Sequence, residues 1–196
     1  SDADDHKVNR ANRREFVIVA VLFLLSGLSS LIYQVIWTRM LVFVFGSTTF
    51  ASSTVLAVFM GGLAIGSLVA GRKSDKIANP FLWYGILEGI IGIFALAAPH
   101  LFSGIGIPLY KMIYQSMHLS IIPFSILRFL VAALILLPPT AAMGATLPLL
   151  SKFVTTSLDV VGDRVGTLYA INTLGAVIGS ITAGFFLLPT FGLSTT

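Results

Sequence analysis

Five long apolar stretches, separated by short polar connections, dominate the pattern of this 196-residue sequence. Each stretch carries at most one fully charged side chain, except that the fourth has Lys152 near its end in addition to Arg128. A helix needs about 20 predominantly apolar residues to cross the hydrocarbon core of a bilayer, and each stretch is long enough. We predict spans at about 16–44, 48–71, 80–98, 121–153 and 165–189. The pattern therefore predicts an all-α integral membrane protein with about five transmembrane helices.

Composition supports this class. Apolar residues make up 56% of the chain and charged residues 10%, whereas an ordinary soluble domain has roughly 25% charged residues. The chain has no cysteine, which excludes disulfides and thiolate metal sites. The three histidines show no ligand spacing, so we expect no metal site and no cofactor.

Lysine and arginine residues cluster in alternate connections. The tail of residues 1–15 holds four of the twelve, and the connections at 72–76 and 152–164 hold five more. Because basic loops stay on the cytoplasmic side, we expect a multi-pass protein of the inner (plasma) membrane with a basic, cytoplasmic N-terminus. The net charge of +4 is explained in this way, and no basic face interleaved with aromatic residues indicates nucleic-acid binding.

The segment of residues 103–118 differs from the spans because it mixes polar side chains with a narrower apolar stripe. The stripe consists of Leu109, Met112, Ile113 and Met117, which helical spacing places on one face. This pattern predicts an amphipathic helix on the outer surface, since the segment is too polar for a sixth span.

An internal repeat relates the two halves of the chain. Residues 62–71 (GLAIGSLVAG) match residues 175–184 (GAVIGSITAG) at six positions, and the same shift of 113 lays 16–25 over 129–138 without a gap. The second span runs inward and the fifth outward, so the halves are predicted to be inverted copies. Such triplets build transporter halves, and we predict an inverted-repeat, transporter-half-like bundle. With five spans, we expect either a fragment or a sixth helix from a partner.

Small residues at four-residue spacing predict faces where helices pack closely. Lipid tails are as apolar as leucine, so helices in a bilayer associate mainly through close packing at small residues. Contacts within this chain are the first interpretation, and an interface with a second subunit is the alternative. The glycines concerned are Gly62, Gly66, Gly71, Gly85, Gly89, Gly175 and Gly179.

Three prolines interrupt the fourth span: Pro138, Pro139 and Pro148. A proline inside a helix removes one hydrogen bond and kinks it, so we expect this helix to be bent or broken near mid-membrane. Such discontinuities line cavities in transporters, although a proline kink can equally serve to fit a neighbouring helix.

Ionisable side chains within spans are costly and usually face a cavity or a partner. Glu88 is the clearest case, and its candidate roles are proton carrier, cation ligand or a carboxyl paired with a polar neighbour. Arg39 and Arg128 lie toward the outer ends of their spans, where their side chains can reach the interface. Four uncharged polar residues are candidates to join Glu88 in a cluster: Tyr33, Gln34, Tyr169 and Asn172.

The connection after the second span has a recognisable spacing of Gly71, three residues, Asp75 and Lys76. We expect Asp75 to cap the N-terminal amides of the next helix, while its basic neighbours hold the loop inside. The spacing resembles the loop between the second and third helices of major facilitator transporters, although residues 77–80 depart from that pattern.

Four separated motifs occur in the order found in one known family. They are SGLSSLIYQVIWTRML at 26–41, FMGGLAIGSLVAGRKSD at 59–75, LLPPTAAMGATLPLL at 136–150 and GTLYAINTLGAVIGSITAGFFLLPTFGL at 166–193. They resemble the membrane domain of the membrane-bound spermidine-synthase-like (polyamine aminopropyltransferase-like) proteins. The resemblance implies a membrane part similar to a transporter half, followed by a cytoplasmic Rossmann-like transferase domain. This chain lacks the glycine-rich strand-to-helix turn of such a domain, so no catalytic residue is assigned.

Three functions remain open. In the first, the chain is the membrane domain of a spermidine-synthase-like protein without its catalytic domain and acts as anchor or scaffold. Alternatively, it is a stand-alone structural subunit of a larger membrane complex, or a transporter-like module that handles a cation or polyamine through Glu88. The expected partners are the lipid bilayer and either other membrane subunits or the chain's own missing C-terminal domain.

Overall fold

A computed structural model describes residues 2–45, 49–108, 112, 121–154 and 161–192. Apart from residues 77–79 and Gly192, the described residues are helical, with no strand among them. The long helices are α1 (Asp2–Phe45), α2 (Thr49–Lys73), α3 (Pro80–Leu101), α4 (Ile121–Val154) and α5 (Val161–Ile181). All five are long and apolar enough to cross a membrane, which confirms the prediction of a five-helix, membrane-type fold.

The connection between α2 and α3 is short and regular. A 3₁₀ turn (Ser74–Lys76) follows α2, and the chain becomes extended at Ile77. Asn79 then caps α3, its side-chain oxygen accepting the Leu82 amide at 3.1 Å, and Pro80 occupies the first turn, where its missing N–H costs nothing. The expectation that Asp75 caps this helix is wrong, because a helix that begins at Pro80 takes its cap from the residue directly before it.

Two helices extend through π-helical turns. α3 continues into Phe102–Gly106, and α5 continues through Thr182–Leu187 into the short helix α6 (Leu188–Phe191), which ends at Gly192 with φ +71°. Most of the segment predicted as an outer-surface helix, from residue 109 to 118, lies outside the described residues apart from Met112. Its amphipathic character stays a prediction.

α4 remains a single α-helix across its three interior prolines. The helix is therefore not broken there, and a bend stays a prediction. Proline is tolerated in a membrane helix when neighbouring helices support the freed backbone, and α4 is the most heavily contacted helix of the bundle, packing against both α2 and α3.

The helices pack in two principal pairs, α1 with α5 and α2 with α4, and α3 lies against α4. Buried apolar side chains form two clusters along the bundle. The lower cluster lies near the α1 N-terminal half and the α4 C-terminus, and its members are Val19, Ala20, Phe23, Tyr84, Leu150, Val154 and Leu168. The upper cluster is larger and includes Trp37, Leu41, Phe59, Ile91, Leu136 and Met143.

Much apolar surface lies outside these clusters. Leu96 is 80% exposed, Phe185 76% and Leu134 72%, each on a different long helix or its extension. A soluble protein rarely exposes apolar patches of such extent. In a bilayer the same side chains would contact lipid, so this outer surface suggests a membrane protein.

Candidate functional site

An intramembrane carboxyl, Glu88, is hydrogen-bonded to the neighbouring helix. The Ser26 hydroxyl on α1 donates to Glu88 Oε1 at 2.6 Å. One turn earlier on α3, the Tyr84 hydroxyl donates to the Leu22 carbonyl at 3.3 Å and lies within hydrogen-bonding reach of the Ser26 and Glu88 side chains. We call Ser26, Tyr84 and Glu88 the oxygen cluster, because oxygens from α1 and α3 meet there.

The oxygen cluster occupies a layer between the two apolar clusters. On α1, Ser26 lies between Phe23 of the lower cluster and Trp37 of the upper one. Tyr33, half-buried and stacked on Trp37 at 5.8 Å between ring centroids, is also within electrostatic range of Glu88.

Other predicted polar candidates are spread along the bundle. Asn172 on α5 approaches Gly27, the residue next to Ser26, with both its carbonyl and its side-chain oxygen. Gln34 is half-buried, and its carbonyl accepts the Thr38 hydroxyl at 2.7 Å. The structure therefore brings Asn172 close to the oxygen cluster, whereas the described contact of Gln34 is local to α1.

The remaining predicted polar residues lie away from this cluster. Tyr169 is 60% exposed on α5, and Arg39 is exposed on α1. Arg128 is half-buried on α4, near its N-terminal end. The interfacial position proposed for Arg39 and Arg128 stays a prediction.

Four predicted packing glycines lie at close helix contacts within the chain, three of them against backbone. A Cβ on Gly66 of α2 would overlap the Ala141 carbonyl of α4, and one on Gly179 of α5 would overlap the Leu28 carbonyl of α1. One turn earlier, a Cβ on Gly175 would overlap the Leu24 carbonyl, and one on Gly62 would overlap the Thr140 hydroxyl. Two further glycines, which the spacing did not single out, are equally close to a neighbouring backbone: Gly27 and Gly144.

The glycines of α3 have different surroundings. Around Gly85 and Gly89 no heavy atom of another element lies within 4 Å of where a Cβ would be, and both residues are exposed. Gly71, at the end of α2, is open in the same way. Within the described residues these three glycines make no close helix contact.

The loop motif of Gly71, Asp75 and Lys76 forms the turn that leads into α3. The Ser74 hydroxyl donates to the Gly71 carbonyl at 2.9 Å, while Asp75 and Lys76 are exposed. Lys152 at the end of α4 binds this turn. Its ammonium donates to the Ser74 carbonyl and, at 3.2 Å, to the Ile77 carbonyl.

A second basic side chain ties helix ends together nearby. The Arg164 guanidinium, near the start of α5, donates to the Val154 carbonyl at the end of α4 and lies 5.8 Å from the centroid of the Phe16 ring on α1. Lys and Arg at a helix C-terminus bind its free carbonyls and complement the helix dipole. Lys152 and Arg164 thus connect α1, α4, α5 and the turn between α2 and α3 at one end of the bundle.

Sequence reasoning missed three residues that matter here: Ser26, Tyr84 and Lys152. Tyr84 precedes Glu88 by four residues, so helical spacing alone places both on one face. Ser26 and Lys152 carry no such signal, since their partners lie more than 60 residues away in sequence. Among the described residues, no three or more histidine, cysteine, aspartate or glutamate side chains lie close enough together to hold a metal ion.

Comparison with known proteins gives one distant relative. The chain is 24% identical over 189 residues to polyamine aminopropyltransferase 1 of Streptomyces coelicolor, an alignment that covers 96% of this chain and 31% of that protein. The chain thus spans about a third of the length of the relative it matches. No family model matches it. No solved structure matches either, so the likeness to major facilitator transporters stays a prediction.

Proposed function

We propose that this chain is the helical membrane domain of a polyamine aminopropyltransferase-like protein and that it serves there as anchor or scaffold. The observation that carries the proposal is the alignment, which takes in 96% of this chain but 31% of the relative. Such coverage is expected when a self-contained helical domain forms part of a longer protein. The five membrane-type helices are consistent with an anchoring role.

The proposed orientation has the N-terminus in the cytoplasm of a cell with an inner membrane. Support comes from the basic residues: Arg72, Lys73 and Lys76 flank the turn held by Lys152, and Arg164 joins the same end of the bundle. The chain has no cysteine, so each introduced cysteine is unique. In intact cells, Asp75→Cys should stay unlabelled by a membrane-impermeant thiol reagent and become labelled only after permeabilisation. Labelling in intact cells would contradict the orientation.

We further propose that the bundle is an inverted repeat. The contact of Gly66 with Ala141 and the contact of Gly179 with Leu28 involve residues separated by the same shift of 113. In the proposed repeat, a two-fold operation that exchanges α1 with α4 and α2 with α5 would relate the two principal helix pairs. This relation of contacts supports the repeat independently of the matching letters in the sequence.

The anchor role is tested by affinity purification of the tagged chain from its native membrane in mild detergent. We expect an aminopropyltransferase domain to be recovered with it in a one-to-one ratio, either in the same polypeptide or bound to it, together with transfer activity toward a polyamine. Intact mass of the purified species separates these two arrangements. Recovery of the chain without any transferase would overturn the proposal.

A second candidate, a structural subunit of a larger membrane complex, is favoured by the open glycine face of α3. Gly85 and Gly89 have the spacing of a helix-packing face but no partner helix within the described residues. Purification with a stoichiometric membrane partner other than a transferase would support this role. A third candidate, transport of a cation or polyamine, draws on Glu88 and predicts uptake into proteoliposomes that Glu88→Gln abolishes.

A further inference from the structure

We propose that the oxygen cluster of Ser26, Tyr84 and Glu88 binds a primary ammonium group between α1 and α3. The inference goes beyond the anchor role and does not depend on it. It starts from the position of Glu88, roughly 12 Å along α3 from Pro80 at the rise of an α-helix, which is well inside a span. A carboxylate in such surroundings is costly unless it is paired.

The oxygen cluster has fewer hydrogen-bond donors than acceptors. A hydroxyl has one proton and two lone pairs. Ser26 donates its proton to Glu88, and Tyr84 donates its one proton to the Leu22 carbonyl or to Glu88, which is also within its reach, so both hydroxyl protons are used. The acceptor sites of the two hydroxyls and the carboxylate outnumber these two protons. The cluster therefore offers several acceptors and one negative charge, and its complement is a cation that donates hydrogen bonds.

Among biological cations, an ammonium group fits this description best. It carries one positive charge and three N–H donors in a small volume, as in a lysine side chain. Ca²⁺ takes six to eight oxygen ligands and Mg²⁺ requires a near-octahedral set, and two helices with one carboxylate do not supply either.

The cluster also has an open side. Glu88 lies at the edge between the packed face of α3, where Tyr84 and Ile91 are buried, and the exposed glycine face. Gly85 and Gly89 flank Glu88 on that exposed face, with no atom within 4 Å of where a Cβ would stand. A ligand can approach the carboxyl there without displacing a side chain of α3.

Two sources supply primary ammonium groups at a membrane: soluble alkylamines such as polyamines, and the headgroup of phosphatidylethanolamine. The test uses the full chain in nanodiscs of phosphatidylcholine, a lipid without a primary amine. Radiolabelled spermidine is titrated in one arm, and phosphatidylethanolamine is added to the nanodisc in the other. In both arms the rate at which dicyclohexylcarbodiimide, a lipid-soluble reagent for carboxyls, modifies Glu88 is followed by mass spectrometry.

We expect at least one of the two amines to slow the modification of Glu88, and the arm that does so identifies the source. If spermidine is the ligand, its affinity should fall roughly tenfold or more in Glu88→Gln and less in Ser26→Ala, since hydrogen bonds to a charged group are the stronger ones. Glu15→Gln, which removes an exposed carboxylate from α1, is the matched control and should change nothing.

Thermal unfolding of each variant establishes that loss of binding is not loss of structure. If neither amine slows the modification of Glu88, the site holds a proton alone and the proposal is overturned. Equal spermidine affinity in wild type and Glu88→Gln would also overturn binding of the soluble amine at this cluster. Neither result bears on the anchor role, which the purification experiment tests separately.

Discussion

α3 and the other four long helices are attached to the bundle in different ways. In the pairs α1–α5 and α2–α4, glycines such as Gly66 and Gly179 let one backbone touch the next. α3 carries glycines at the same spacing, yet its glycine face is open, and its contacts to α1 and α4 come from larger side chains. The Phe81 ring, for example, stacks on Phe153 of α4 at 5.0 Å between centroids.

This difference shows what small-residue spacing does and does not say. Four-residue spacing of glycines makes a flat strip that a neighbouring backbone can approach. The spacing does not determine which helix approaches, or whether that helix belongs to the same chain. Glycines of α1, α2, α4 and α5 contact neighbouring helices of the same chain, whereas the glycine face of α3 is open to lipid, a ligand or a partner.

The largest effect is expected from Gly66→Ala. The added methyl group would meet the Ala141 carbonyl of α4, and backbone cannot move aside as a side chain can. We expect the free energy of unfolding in mixed micelles to fall by roughly 3 kcal/mol, although alanine by itself favours a helix. The free energy of unfolding should fall by a similar amount in Gly179→Ala if the α1–α5 and α2–α4 pairs are equivalent. Unchanged stability in both variants would mean that close backbone packing does not hold these two helix pairs together.

Lys152→Met comes next, because it removes the clamp on the turn before α3 while keeping an apolar stem of similar length. The Ser74 and Ile77 carbonyls lose a charged donor, a contact worth about 2 kcal/mol. Hydrogen exchange at residues 74–82 should accelerate more than exchange in α2 or α5. Equal acceleration in all helices would mean that Lys152 supports the whole bundle rather than α3.

Asn79→Ala tests the start of α3 alone. Loss of the side-chain oxygen that accepts the Leu82 amide should cost about 1 kcal/mol, the usual value of an N-cap. The matched change Asp75→Ala should cost less, since Asp75 is exposed and does not cap this helix. Thermal unfolding of both variants in detergent gives the comparison. A larger loss for Asp75→Ala would restore the capping role predicted from the sequence.

The smallest effect is expected from Gly89→Ala. With no atom near the added methyl group, the isolated chain should change by at most about 1 kcal/mol, and in the stabilising direction because alanine favours helices. Measured in the purified chain and again in the native membrane assembly, the variant reports on what covers α3. Destabilisation confined to the assembly would identify this face as a subunit interface.

Several features of the fold were predictable because they follow from local sequence. The five membrane-type helices arise from apolar stretches, and the start of α3 follows from Asn79 and Pro80. The site was predictable only in part: Glu88 stands out as a charge within a span, but Ser26 does not, because serine is common in membrane helices. Lys152 reads as one more basic residue near the membrane until its carbonyl partners are known.

Sequence alone determined that the chain forms five helices long and apolar enough to cross a membrane, since this depends on how many apolar residues follow one another. Tertiary structure decided which glycine strip meets which backbone and which hydroxyl meets the single intramembrane carboxyl of α3. In lipid all apolar faces are nearly equivalent, so burial does not choose neighbours as it does in water. Shape and a few hydrogen bonds choose them instead, and those become visible only when the helices are placed side by side.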